Sequence, residues 1–137
     1  MSKAIPDMME ALLHDENVDV RIEIASSFSK LKEKAGEAIP ALITALKNDE
    51  SKEVREWSTI AIGEIGPLAK KAIPLLIDTM CHDESDTVRK KAIFALGKMG
   101  GNAKSALPAL KSFRDANENW WAKPLVNMAI EKIEIPK

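Results

Sequence analysis

The tripeptide Ala38-Ile39-Pro40 recurs as Ala4-Ile5-Pro6 and Ala72-Ile73-Pro74, and a near copy follows at Ala106-Leu107-Pro108. Successive copies are therefore 34 residues apart, a period that is typical of proteins built from repeated helix pairs. A glutamate keeps the same period in all four copies: Glu16, Glu50, Glu84 and Glu118. The period predicts a single domain over residues 1–137, divided into four repeats at 4–37, 38–71, 72–105 and 106–137.

Each repeat has the pattern of two helices. The first helix begins near the proline, which is tolerated there because its missing N–H would have no partner in the first turn. Its apolar residues recur every three or four positions, as an amphipathic helix requires; in the second repeat they are Ile39, Leu42, Ile43 and Leu46. The second helix follows an N-cap serine, Ser51, and ends before Gly66. Its predicted buried stripe consists of Val54, Ser58, Ala61, Ile62 and Ile65.

No segment shows the period-2 alternation of a strand. The predicted fold is therefore all-α: a right-handed α-solenoid, or alpha-alpha superhelix, of four two-helix repeats. The fourth repeat has Lys111 and Arg114 where the second has Ile43 and Leu46. A terminal repeat has no neighbour on its outer side, so this polar side identifies it as a cap. Pro124, one turn into the last helix, predicts that this helix starts late or bends.

Several motifs of the repeat together resemble a known family. The first helix carries Pro-x-Leu-Ile, and an Asp-Glu pair marks the turn. The second helix carries Val88-Arg89 with Ala92 and ends in Leu-Gly-Lys-Met-Gly at residues 96–100. These motifs are similar to HEAT-like repeats of the phycobilisome-lyase (PBS lyase) type. The resemblance implies an α-solenoid and covers nearly the whole chain. Proteins with such repeats include scaffolds, lyase subunits that handle bilin chromophores, DNA glycosylases and a metal-dependent hydroxylase.

An aspartate and an arginine also recur once per repeat in the first three copies, as Asp15, Asp49 and Asp83 and as Arg21, Arg55 and Arg89. Regular recurrence favours a structural role over a catalytic one. The aspartate can accept hydrogen bonds from N–H groups of the turn between helices. The resemblance implies that the arginine bridges to the aspartate of its own repeat or of the adjacent one.

Charge and composition narrow the class of partner. The chain has 20 basic and 21 acidic residues, whereas nucleic-acid-binding domains normally carry a basic surplus. No apolar stretch follows Lys3, and no window approaches the roughly 18 apolar residues that span a membrane. We therefore expect a cytoplasmic protein that binds neither nucleic acid nor membrane. Cys81 is the only cysteine, so no disulfide can form within the chain.

The two histidines lie in identical triplets, His14-Asp15-Glu16 and His82-Asp83-Glu84. Proteins of the hydroxylase branch that these repeats resemble carry a di-iron site on paired His-Glu motifs. Two repeats at about 10 Å per helix layer would separate the histidines by about 20 Å, too far to share an ion. We therefore predict no metal, no cofactor and no catalytic residue, Cys81 included.

Apolar residues in the second helices point away from the predicted buried stripe. At about 100° per residue, Ile60 faces almost directly opposite to that stripe. Second helices line the concave side of such solenoids, so these residues are predicted to form an exposed strip there. Its predicted members are Trp57, Ile60, Phe94, Trp121, Leu125 and Met128. A contiguous apolar patch usually marks an interface, although Trp121, Leu125 and Met128 could instead only close the C-terminal end.

These observations favour a non-catalytic module, a scaffold that binds a protein partner or a second copy of itself through the apolar strip. The alternative is an enzyme or enzyme subunit, either a bilin-lyase-like component or a DNA glycosylase-like HEAT enzyme. A glycosylase would need an aromatic pocket beside a basic groove. Trp120 and Trp121 supply aromatic side chains, but the overall charge balance predicts no basic groove.

Overall fold

In the computed structural model, which describes residues 4–135, the chain forms eight α-helices and no strand. They are α1 (Ala4–His14), α2 (Val18–Leu31), α3 (Ile39–Asn48), α4 (Lys52–Ile65), α5 (Ile73–His82), α6 (Asp86–Lys98), α7 (Leu107–Ala116) and α8 (Ala122–Glu134). Short turns join the helices of a pair. Seven-residue 3-10 segments join one pair to the next, at Lys32–Ala38, Gly66–Ala72 and Gly100–Ala106.

The helix pairs stack in chain order, which confirms the predicted all-α solenoid of four two-helix repeats. The second helices of the pairs, α2, α4, α6 and α8, pack against one another in succession. The first helices touch their counterparts far less. This difference bends the stack so that the second helices lie on its inner, concave side.

Local sequence sets the ends of the second helices. The Oγ atoms of Ser51 and Ser85 accept hydrogen bonds from the N–H groups of Val54 and Val88, at 3.3 and 3.4 Å. These bonds satisfy N–H groups that have no partner within the helix. Gly66 has a φ of +78°, and the residue in the same place in the first repeat, Lys32, has a φ of +53°. The chain therefore turns out of both helices through a backbone conformation that glycine adopts most easily.

The predicted buried stripe is correct. Val54, Ser58, Ala61 and Ile62 are fully inaccessible and Ile65 is nearly so. Thr59 and Gly63, on the flank of α4 that faces α6, are buried as well. The burial of this flank shows that a second helix is covered both by its own pair and by the neighbouring repeat.

A ladder of arginine–aspartate pairs runs along the turns. Arg21 Nε lies 2.9 Å from Asp49 Oδ2, and Arg55 Nε lies 3.0 Å from Asp83 Oδ2. Arg21 and Arg55 therefore bond to the aspartate of the next repeat, one of the two arrangements that the resemblance implied. Arg89 differs, because the next repeat has Asn117 at that position, and its Nε donates to the carbonyl of Met80 at 2.9 Å. The hydrogen bond to Asp49 raises the pKa of Arg21 above its ordinary value, against the opposing effect of burial.

Each aspartate of the ladder also holds its own turn. Asp49 Oδ1 accepts a hydrogen bond from the N–H of Ser51 at 2.9 Å. Arg55 Nη1 donates to the carbonyls of Asp49 and Glu50 at 3.0 and 3.2 Å. The recurring Asp and Arg therefore join adjacent repeats and satisfy turn groups, as a structural role requires.

The fourth repeat has the polar outer side that its sequence predicts. Lys111 Nζ lies 3.5 Å from Glu134 Oε2, and Arg114 Nη1 donates to Asn127 Oδ1 at 3.0 Å. Both contacts connect α7 to α8 on the outer side of this repeat. The last helix begins at Ala122. Its counterpart α6 begins at Asp86, which corresponds to residue 120, so the late start predicted from Pro124 is observed.

Candidate protein-binding surface

Three apolar side chains stand in register along the concave side. Ile60 on α4, Phe94 on α6 and Met128 on α8 occupy the same position of successive repeats. Phe94 is 39% exposed and Met128 is 55% exposed, whereas Ile60 is half-buried. Trp57 and Leu125 flank this row and are partly buried against the core. We call these five residues, Trp57, Ile60, Phe94, Leu125 and Met128, the apolar strip.

Between α6 and α8 the strip deepens into a groove. Its walls and floor are formed by Ile93, Phe94, Gly97, Leu125, Met128, Ala129 and Lys132. Gly97 has no side chain, and a Cβ built there would lie 3.2 Å from the Cα of Ala129. The two helices therefore approach closely at the floor, while the larger Phe94 and Met128 remain partly exposed above it.

The predicted exposure of Trp121 is wrong, because this residue is only 4% exposed. The prediction extended α8 back over Trp121, but the helix begins at Ala122, so Trp121 lies in the preceding turn. Its ring lies 6.1 Å from that of Phe113, and the Arg89 guanidinium and the Lys90 ammonium lie 5.5 and 5.4 Å from it. Trp121 is therefore a core residue of the C-terminal repeat rather than a member of the strip.

The neighbouring tryptophan is the exposed one. Trp120 is 83% exposed, and its ring lies 5.5 Å from Lys90 Nζ. The sequence pattern did not assign it to the surface strip, because helical periodicity carries no information about a residue in a turn. The Asn-Glu-Asn triplet that precedes it was the available signal of a turn.

Basic side chains lie near Phe94 and the groove. Lys98 Nζ lies 6.0 Å from the centre of the Phe94 ring and 3.5 Å from Glu64 Oε1 on α4. Lys132 lines the groove from α8, and Lys91 lies one turn before Phe94 on α6. Glu64–Lys98 is an ion pair between repeats, whereas Lys90 contacts the two tryptophan rings described above.

The two histidines and the cysteine lie outside the apolar strip and its groove. His14 pairs with Glu10 at 3.7 Å, and His82 Nδ1 lies 3.0 Å from Asp78 Oδ1; all four side chains are exposed. Among residues 4–135, no three His, Cys, Asp or Glu side chains are grouped so that they could hold a metal ion. Burial, and then the charge of Asp78, raise the pKa of the half-buried Cys81 thiol above its ordinary value, so at neutral pH the thiol stays protonated and weakly nucleophilic.

Within the described part of the chain, the helices are too short or too polar to cross a bilayer. A family model of HEAT repeats matches residues 1–63 and, in a second alignment, residues 39–131. A search of curated proteins found no match. Among solved structures, the chain is similar to one in the complex of CpcE and CpcF of phycocyanin lyase from Nostoc sp. PCC7120. The TM-score is 0.68 at 22% sequence identity, covering 99% of this chain and 82% of the other.

Proposed function

Because the chain belongs to the HEAT repeat family, we propose that it is a non-catalytic interaction module that binds a protein partner through the apolar strip. The observation that carries this proposal is the exposure of Phe94 and Met128 above a preformed groove. Exposing large apolar side chains to water is unfavourable, and a row of them in register across successive repeats is typical of a binding surface. Burial against a partner would remove these side chains from water.

Two further findings support a protein partner. The solved structure with a similar fold is a complex of two different chains, CpcE and CpcF. The strip also lies on the concave side, where a solenoid presents residues from several repeats to one ligand. The glycosylase-like alternative loses one of its two candidate aromatic side chains, because Trp121 is buried beneath Arg89 and Lys90.

The substitution Phe94→Glu tests the proposal. We expect the variant to keep its helical circular dichroism, because Phe94 lies outside the fully buried stripe. We expect a loss of about 1 kcal/mol in unfolding free energy from the apolar area no longer covered. The substitution removes the aromatic ring and places a negative charge in the groove. It should abolish capture of any partner that the wild-type protein retains from native lysate, because aromatic anchors dominate interfaces.

A matched control is Leu68→Glu. Leu68 is also apolar and 62% exposed, but it lies in the connector between α4 and α5, away from the strip. Light scattering on each variant will show whether the partner is a second copy of the chain. If Phe94→Glu folds and retains the same proteins as wild type, or if Leu68→Glu loses them equally, the apolar strip is not the interface.

A further inference from the structure

The charges around the groove are unevenly distributed. Lys132 on α8 lines it, and Lys91 on α6 lies one turn before Phe94. Lys98 is already paired with Glu64 on α4, and among residues 4–135 no acidic side chain lines the groove. The groove therefore has an apolar floor and a net positive rim, although the whole chain has a net charge of −1.

The spacing of the lysines along the groove has a simple geometric match. Lys132 on α8 corresponds to position 98 of α6, so along the helices it lies seven residues beyond Lys91, which is about 10.5 Å, or two helical turns. Phe94 lies between them and marks the apolar centre. A partner helix lying along α6 and α8 would place carboxylates opposite both ends if they were also seven residues apart. The partner's apolar residues at the third and fourth positions after the first carboxylate would then contact Phe94, Leu125 and Met128.

We infer that the groove between α6 and α8 binds an acidic amphipathic helix of a partner protein, with an apolar anchor seated on Phe94 and Met128 and carboxylates facing Lys91 and Lys132. This inference rests on the proposed function and names the chemistry of the partner. Electrostatic complementarity of this kind sets which partner is selected, while the apolar anchor supplies most of the affinity.

The probes are two synthetic peptides of about 15 residues, the length at which an isolated helix becomes marginally stable. Both carry a Leu-Phe pair in an alanine-rich helix. One has glutamates three residues before and after that pair, and the other has lysines at the same places. Binding is followed by fluorescence anisotropy of a label on the peptide, at low and high ionic strength.

We expect the acidic peptide to bind at least about fivefold more tightly than the basic one at low salt, since exposed ion pairs each contribute little but two act together. The difference should shrink at high salt. The double variant Lys91→Glu and Lys132→Glu should prefer the basic peptide, whereas Lys70→Glu and Lys71→Glu, exposed on the far connector, should behave as wild type.

Three results would overturn the inference, and they separate it from the proposed function. Equal binding of both peptides, still lost in Phe94→Glu, would leave the interaction surface standing and remove its acidic preference. No binding of the acidic peptide would also overturn the inference, while the capture experiment decides the proposed function independently. Phe94-dependent sedimentation with phosphatidylserine-containing vesicles, without any peptide preference, would assign the basic apolar groove to a lipid surface and overturn both.

Discussion

Gly63 on α4 faces Ala95 on α6 at the closest approach of two second helices: a Cβ built on Gly63 would lie 2.8 Å from the Cα of Ala95 and 2.9 Å from its Cβ. No real side-chain carbon tolerates such contacts with backbone. The glycine is therefore what lets α4 and α6 pack side by side.

We predict that Gly63→Ala destabilises the protein. Alanine favours a helix over glycine by about 1 kcal/mol, but separating two packed helices costs about 1–3 kcal/mol. Because the clash is with the backbone of Ala95, neither side can yield by rotating a side chain, so we expect a net loss of about 1–2 kcal/mol. Denaturant unfolding followed by circular dichroism measures it.

Two other glycines provide a graded control. At Gly97 an added Cβ would lie 3.2 Å from Ala129, so the effect of Gly97→Ala should be smaller. At Gly101 the nearest atom is the end of the Lys104 side chain, 3.9 Å away, so Gly101→Ala should not destabilise the fold. A Gly63→Ala variant as stable as Gly101→Ala would show that the helices do not pack this closely.

The arginine–aspartate ladder predicts a second effect on stability. Arg55→Ala should lower the unfolding free energy by about 3 kcal/mol, because it leaves the Asp83 carboxylate largely buried without its partner. Arg55→Lys should cause an intermediate loss, since an ammonium cannot reproduce the fork that joins Asp83 to the turn carbonyls. Thermal unfolding of the three proteins at neutral pH gives the ranking.

The corresponding control is Arg114→Ala. Arg114 bonds to its sequence neighbour Asp115 and to Asn127 on the exposed outer side of the last repeat. Its removal should leave the unfolding midpoint nearly unchanged. If Arg55→Ala behaved in the same way, the ladder would be an incidental surface feature rather than a connection between repeats.

The solenoid could be predicted from the sequence because every repeat carries the same signals. The spacing of Val54, Ala61 and Ile62 placed the buried side of α4 correctly, and the polar residues Lys111 and Arg114 correctly marked the outer side of the last repeat. Such assignments succeed where a residue lies well inside a helix, since its direction then follows from its distance to its neighbours.

The residues of the apolar strip were only partly predictable for the same reason. Phe94 and Met128 lie inside their helices and were placed on the exposed side. Trp121 lies just before α8, where periodicity no longer applies, and packing against Phe113 decided its position. The close approach of Gly63 to Ala95 follows from how α4 and α6 are arranged in three dimensions, which the repeat pattern alone does not give.

The third prediction concerns the only residue other than glycine, within 4–135, that has a positive φ. Lys32 has φ +53° and ψ −133°, close to the values of Gly66 in the next repeat. Holding a residue that has a Cβ in such a conformation lowers the stability of the folded state by about 1–3 kcal/mol. Because the Lys32 side chain is exposed, Lys32→Gly should raise the unfolding free energy by about 1 kcal/mol.

Lys30→Gly serves as the control, since Lys30 is an exposed lysine two residues earlier, in the last turn of α2. There, glycine should lower the unfolding free energy by about 0.5–1 kcal/mol through loss of helix propensity. The diagnostic result is that two Lys-to-Gly substitutions, two residues apart, change the unfolding free energy in opposite directions. Destabilisation by both would mean that the backbone at Lys32 is not strained.

The last prediction concerns Ser58, in the centre of the buried stripe of α4. Its Oγ is buried and has no hydrogen-bond partner in the structure. An unsatisfied buried hydroxyl costs about 1–3 kcal/mol, and the same position of the third repeat holds Ala92, which is also fully buried. Ser58→Ala should therefore raise the unfolding free energy by about 1 kcal/mol, measured by denaturant unfolding with an unchanged m-value.

Thr59→Val is the matched control, because the next residue is also fully buried but its hydroxyl is satisfied. Thr59 Oγ1 donates a hydrogen bond to the carbonyl of Arg55 at 2.7 Å. Valine keeps the shape and removes that bond, so this variant should gain no stability and should lose up to about 1 kcal/mol. If Ser58→Ala instead lowered stability as Thr59→Val does, the Ser58 hydroxyl would have a partner such as an internal water. Removing a hydroxyl lowers stability only when that hydroxyl makes a hydrogen bond.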